Sequence, residues 1–386
     1  MLPTILAAVT ALAPVSPKLV ESENAFASDV YALVAKSPGN VVFSPASIAT
    51  ALAMTYAGAR GKTALQMEKT LHIPEGPFDV HGGYSALLAR LESSGGGNPE
   101  LHVANRLFGQ KGLAFEAPFL ATTKSQYGAS LEALDFVKAS EPSRLFINQW
   151  VEKQTKDRIK DLLPAGAIDG STRLVLTNAV YFKGAWVTAF DKKATRDEAF
   201  GAKKVPTMHA TRHATYAETT DAQVLELPYK RESADHGISM IIVLPRDKDG
   251  AAKLPAKRLF ELFGTKAFGS PEVEMSLPRF KTTMPLELGS TLQSLGMVDA
   301  FSAAADFTGI TKQVPLSISR AIHKAFVDVN EEGTEAAAAT AIVMTEGAAM
   351  PPKKVTFRAD HPFVWALKDQ STGALLFVGR VDDPTS

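Results

Sequence analysis

The chain reads as an α+β protein folded as one intertwined domain, and three observations predict this. The long helical periods fall before residue 164 and most strand-like runs lie from residue 174 onward. Neither an internal repeat nor a long linker separates the two kinds of segment.

Taken in order, Leu2 to Val15 is a short apolar run that resembles the core of a secretory signal, with Ala11-Leu12-Ala13 as a poor cleavage site. It lacks the basic residues such a signal carries in front, so a disordered or helix-leading tail is the alternative. Residues 1–19 are therefore set apart from a single domain over 20–386, and an exported or extracellular protein is expected. The run is too short to span a bilayer, and no later stretch qualifies. Helices are predicted at Ala25–Ala35 (Phe26, Val30, Leu33, Val34 on one side) and at Ile48–Ala57, the latter closed by the turn Gly58–Lys62. Ser93–Pro99 is a glycine-rich surface loop. A further helix is predicted over Arg144–Leu163, with Trp150, Val151, Ile159 and Leu162 on one face and Pro164 as its stop. Strands follow at Leu174–Phe182, Val224–Leu227, Ile238–Leu244, Val273–Pro278, Val355–Phe357 and Leu375–Val381, with a helix at Thr291–Gly296 between them. Pairing partners this far apart in sequence imply slow folding.

At 386 residues, with 45% apolar and 21% charged residues, the chain can bury a large core. Lys plus Arg and Asp plus Glu both number 41, so no global field draws nucleic acid or an anionic membrane. There are no cysteines, which excludes disulfides, thiolate catalysis and cysteine-bound zinc. His209 and His213 are four apart, but nothing completes a metal set around them and surface histidines in a hairpin are expected. Gly-x-Ser-x-Gly and phosphate-loop motifs are absent. No cofactor, metal or catalytic residue is expected.

The segment from His323 to Pro352 is the most informative. His323–Asn330 alternates like a strand, then Glu331-Glu332-Gly333-Thr334-Glu335 leads into Ala336–Ala339 and a β-branched pair, Ile342-Val343. Read with period two, Thr334, Ala336, Ala338, Thr340, Ile342 and Met344 share one side, all small or apolar. Glu335, Ala337, Ala339, Ala341, Val343 and Thr345 share the other. A strand with such a face can slide between two others. The plainer reading is an Ala-rich surface helix capped by Thr334.

Residues Glu331 to Thr340 resemble the hinge of the reactive-centre loop in inhibitory serpins. Asn40–Ile48, Thr177–Trp186, Leu277-Pro278-Arg279-Phe280, Asp360-His361-Pro362-Phe363 and Phe377–Val381 resemble further blocks of that family, in order, over roughly residues 20 to 383. An inhibitory, prokaryotic member is expected. The resemblance implies three β-sheets surrounded by about nine helices, with an exposed reactive-centre loop at about 333–352. It also implies a hinge comprising Glu331, Gly333, Thr334, Glu335, Ala336, Ala337, Ala338, Ala339 and Thr340. Ser44, Ser47, Asn178 and His323 resemble the polar shutter beneath the large sheet, and Trp186 the breach at its top. A satisfied polar core and an ordinary core tryptophan are the plain alternatives.

The function implied is that of a suicide-substrate inhibitor of a serine-type endopeptidase, not an enzyme, acting as a monomer through a covalent acyl complex. Counting from Gly333 places the scissile bond near Gly347-Ala348; counting back from Val355 places it near Ala349-Met350. The candidates are therefore Glu346, Gly347, Ala348, Ala349 and Met350. No Lys, Arg or aromatic residue occurs from Ala336 to Met350, so an elastase-like or subtilisin-like target is favoured. The alternatives are a glutamate-specific or cysteine peptidase, or a non-inhibitory carrier or chaperone. Pro77–Ser94, which corresponds to the polyanion-binding helix of some serpins, carries only Arg90 as a fixed cation, so no heparin-type activation is expected.

Overall fold

The computed structural model describes residues 14–92, 99–231, 237–266, 268–334 and 354–385. Among them are nine α-helices: α1 (Pro17–Val34), α2 (Pro45–Tyr56), α3 (Gly61–Thr70), α4 (Val80–Glu92), α5 (Ala117–Tyr127), α6 (Ser140–Gln154), α7 (Gly250–Lys253), α8 (Ala256–Phe263) and α9 (Gly289–Ser294). The strands, again in chain order, are β1 (Val41–Phe43), β2 (Glu100–Gln110), β3 (Glu132–Leu134), β4 (Leu174–Ala185), β5 (Arg196–Phe200), β6 (Lys203–His213), β7 (Thr215–Glu218) and β8 (Ala222–Pro228). They continue as β9 (Ile238–Pro245), β10 (Glu272–Pro278), β11 (Phe280–Glu287), β12 (Ala321–Asn330), β13 (Gly333–Thr334), β14 (Lys354–Arg358), β15 (Phe363–Asp369) and β16 (Leu375–Val381).

Three sheets result, as expected. The first has the order β11-β12-β13-β4-β2-β3, the second β1-β16-β15-β9-β8-β7, and the third β14-β10-β6-β5. Every residue of β9 and β16 is buried, which is why these strands read as continuous apolar runs rather than as alternating ones. Helix α2 lies beneath β4 and β2 and against β16. Ser44 caps it by accepting from the Ser47 N–H, and Pro45 occupies its first turn, where a missing N–H costs nothing. Pro45 through Thr55 are all buried, so this helix is apolar on nearly every side, like the interior element it is.

Two predicted elements differ. Helix α6 stops at Gln154, nine residues before the predicted end, because Lys156 and Asp157 take left-handed backbone angles (φ 49° and 61°). Ile159 and Leu162 are nevertheless buried at 0% and 2% exposure, pressed down by an irregular segment. Their spacing registered burial, not helix. Helix α1 begins at Pro17, eight residues before the predicted start at Ala25, and Leu19 in its first turn is buried.

Candidate functional site at the parting of the large sheet

In the first sheet, β12 and β4 run parallel and pair directly from Ala321↔Leu176 to Phe326↔Tyr181. Above that level β13 lies between them, with Thr334 opposite Val329 and Gly184, and Gly333 opposite Asn330 and Ala185. The two-residue turn Glu331-Glu332 reverses the chain, and the Asn330 side chain accepts from the Glu332 N–H at 2.9 Å. Gly333 has φ +148°, and a Cβ there would sit 2.0 Å from the Gly184 carbonyl oxygen. Only glycine fits so close to β4.

Around this turn, the Trp186 indole N–H donates to the Asn330 carbonyl at 3.0 Å, and the Trp186 and Phe190 backbone N–H groups donate to Glu332 and Glu331 at 2.9 and 2.8 Å. The Glu331 residue is 2% exposed. Burial alone would raise its pKa, but the Arg279 guanidinium (Nε at 2.7 Å) and the Thr195 hydroxyl hold it below the usual glutamate value. Thr334 is fully buried, and its hydroxyl hydrogen-bonds the Tyr229 hydroxyl at 2.7 Å. Tyr229 stacks on Trp186 with ring centres 4.3 Å apart and meets Phe182 edge-on.

Lower in the sheet, Ser44, Ser47, Asn178 and His323 come together from α2, β4 and β12. The Ser44 N–H donates to His323 Nε2 at 3.0 Å, so Nε2 is the acceptor and Nδ1 carries the proton, which it shares with Asn178 Oδ1. The Asn178 amide donates to the Ser47 carbonyl (2.9 Å), the Ser47 hydroxyl (2.8 Å) and Asn105 Oδ1 (2.7 Å). His323 is 0% exposed, and burial lowers its pKa from 6.5 to about 3, so the ring is neutral. The network spans β12 and β4 at the level where they pair directly.

Of the hinge residues, Glu331, Gly333 and Thr334 belong to this arrangement, while Glu335 through Thr340 and the scissile candidates Glu346 to Met350 lie outside the described residues. Sequence reasoning missed Tyr229, Thr195 and Asn105 and named Arg279 only as part of a block. Tyr229 stands 105 residues from its partner Thr334 with no local pattern to mark it. His209 and His213 lie on strand β6, His209 half-buried beside Glu198 (3.3 Å) and His213 against the Ser270 carbonyl (3.0 Å). Among the described residues no group of three or more His, Cys, Asp or Glu side chains could hold a metal ion, and no helix is long and apolar enough to cross a membrane. Arg90 is engaged by Asp369 and Ser371.

A family model described as serpin (serine protease inhibitor) matches residues 21–384. The human leukocyte elastase inhibitor is 40% identical over 385 residues, covering 95% of this chain and all of the relative. Human Serpin B3 is 37% identical over 393 residues, covering 95% and 99%. The crystal structure of Serpin48 from the insect Tenebrio molitor superposes with a TM-score of 0.83 at 32% identity, covering 95% of this chain and 98% of that one. These relatives are animal proteins, and neither the expected prokaryotic membership nor the expected export finds support in them.

Proposed function

Because the chain belongs to the serpin family of protease inhibitors, we propose that it inhibits a serine-type endopeptidase as a suicide substrate, by inserting its cleaved reactive segment into the large sheet. The observation that carries this reading is β13: Gly333 and Thr334 occupy the first rung between β4 and β12, which pair with each other below it. The peptidase attacks a bond between Glu346 and Met350 and forms an acyl-enzyme. The freed segment follows Thr334 downward as a strand. About sixteen residues at roughly 3.3 Å each carry the acylated peptidase about 50 Å. Its catalytic groups, whose alignment tolerates little error, are pulled apart on arrival. Insertion must outrun hydrolysis, and the small inward residues Thr334, Ala336 and Ala338 keep it fast.

The candidate scissile positions and the name of the 40%-identical relative both favour a small-residue pocket of the elastase or subtilisin kind. Lack of a basic run on α4, whose Arg90 is already engaged, argues against polyanion activation. The test is incubation with a panel of such peptidases, reading denaturant-resistant complexes and the mass of the released C-terminal fragment. Thr334→Arg or Ala336→Arg should convert the inhibitor into a cleaved substrate. A stable complex formed equally well by those variants, or cleavage before Pro351 that leaves the melting temperature unchanged, would sink the reading.

A further inference from the structure

We propose that the Tyr229 hydroxyl is a positioning group that captures Thr334 as the first residue of the inserting strand and so sets how often insertion wins over turnover. The inference deepens the function proposed above and rests on it for its kinetic consequence. Tyr229 lies outside both the hinge and the large sheet: it follows β8 of the second sheet and faces β4 from beneath. It is 1% exposed, walled by Trp186 and Phe182, and its ring packs over the position a Gly184 side chain would fill (2.8 Å from that Cβ). In this apolar setting the hydroxyl's partner is Thr334 Oγ1 at 2.7 Å.

The consequence follows from what happens when the hinge withdraws. The phenol is then left buried without a partner, whereas Thr334 regains water. An orphaned buried hydroxyl disfavours the withdrawn state by about tenfold. The catch therefore biases the hinge inward before any peptidase arrives. Once the loop is cut, insertion begins from a seated rung and need not nucleate. Tyr229's backbone is held independently of Thr334: its N–H donates to the Ile238 carbonyl at 3.0 Å, and the Lys230 N–H donates to the Ala185 carbonyl at 2.7 Å. The receptor is pre-set.

The test is a double-variant cycle with Tyr229→Phe, Thr334→Val and the pair together, all of which keep the ring stack and the side-chain volume. Two readings are taken: the moles of protein consumed per mole of peptidase trapped, and hydrogen-exchange protection of the amides of residues 331–334 in the unreacted protein. Each single variant should raise the consumption ratio several-fold and lower protection by about tenfold. The double variant, which leaves no orphaned hydroxyl in either state, should fall no further than Thr334→Val alone, so that the two effects do not add. A purely structural tyrosine would lower the melting temperature while leaving the ratio unchanged, and additive effects in the pair would likewise overturn the inference. If the wild type traps no peptidase, the proposed inhibition fails, but the exchange readings still decide the catch. Unchanged protection in Tyr229→Phe would overturn it even where trapping succeeds.

Discussion

Acidification through the histidine range should loosen the polar network beneath the large sheet. His323 accepts from the Ser44 N–H through Nε2, so protonating that nitrogen sets two donors against each other in a site with no exposure. The folded-state pKa is lowered from 6.5 to about 3 by burial, while the unfolded chain titrates near 6.5. Between those values the unfolded chain binds the extra proton. The stabilising contribution is therefore full above about pH 6.5 and lost as pH falls toward 3. At about 1.4 kcal/mol per pH unit, some 2 kcal/mol is lost between about pH 7.5 and pH 5, out of a total typically of 5–15 kcal/mol. Urea unfolding across that interval, followed at its first transition, measures the loss. His81 and His209 are also lowered by burial, and Glu23 is raised, so the comparison is with His323→Gln, which retains an acceptor for Ser44 and a donor for Asn178. That variant should show a pH slope flatter by about 2 kcal/mol over the interval. An identical slope in the two proteins would refute the neutral buried ring as the responsible group.

Other outcomes follow from the same geometry. Gly333→Ala should expel the hinge, since its Cβ would overlap the Gly184 carbonyl oxygen at 2.0 Å, and exchange protection at Thr334 should be lost. Glu331→Lys places a cation against Arg279 in a site only 2% exposed and should cost about 3–5 kcal/mol of stability, read as a lowered thermal unfolding midpoint. Glu331→Gln should cost less than half of that. Glu23 is fully buried close to the Tyr84 hydroxyl, and burial raises its pKa well above the usual value against a smaller lowering by the Leu375 backbone N–H. Its penalty is absent below about pH 4.3 and grows as pH rises toward the folded-state pKa. Glu23→Gln should thus stabilise the protein at neutral pH and make little difference in acid, as thermal melts at the two pH values would show.

Much of this was readable from the chain, for physical reasons. The α+β class and the strands β4, β8 to β10, β12 and β16 follow from runs of branched and apolar residues, and α2 from the helical period over Ile48–Ala57. Thr334 was assigned to the inward face by period two alone, and in the fold it is fully buried. Strand β2 escaped notice because its burial follows no two-residue alternation, and the end of α6 because an irregular segment can bury Ile159 and Leu162 as well as a helix can. Tyr229, Thr195 and Asn105 were invisible for a different reason. Each acts through a partner more than fifty residues away, and the chain carries no local trace of such a meeting.

The strand directions in the large sheet bear on why a closed form would give way to an open one. Where β12 and β4 touch, the ladder is parallel; where β13 separates them, each of its edges is antiparallel. Every residue that followed Thr334 downward would exchange one slanted, weaker seam for two with perpendicular hydrogen bonds. A segment inserted after Thr334 would in this way gain hydrogen bonding from the polarity of two neighbouring backbones, whichever side chains it brought.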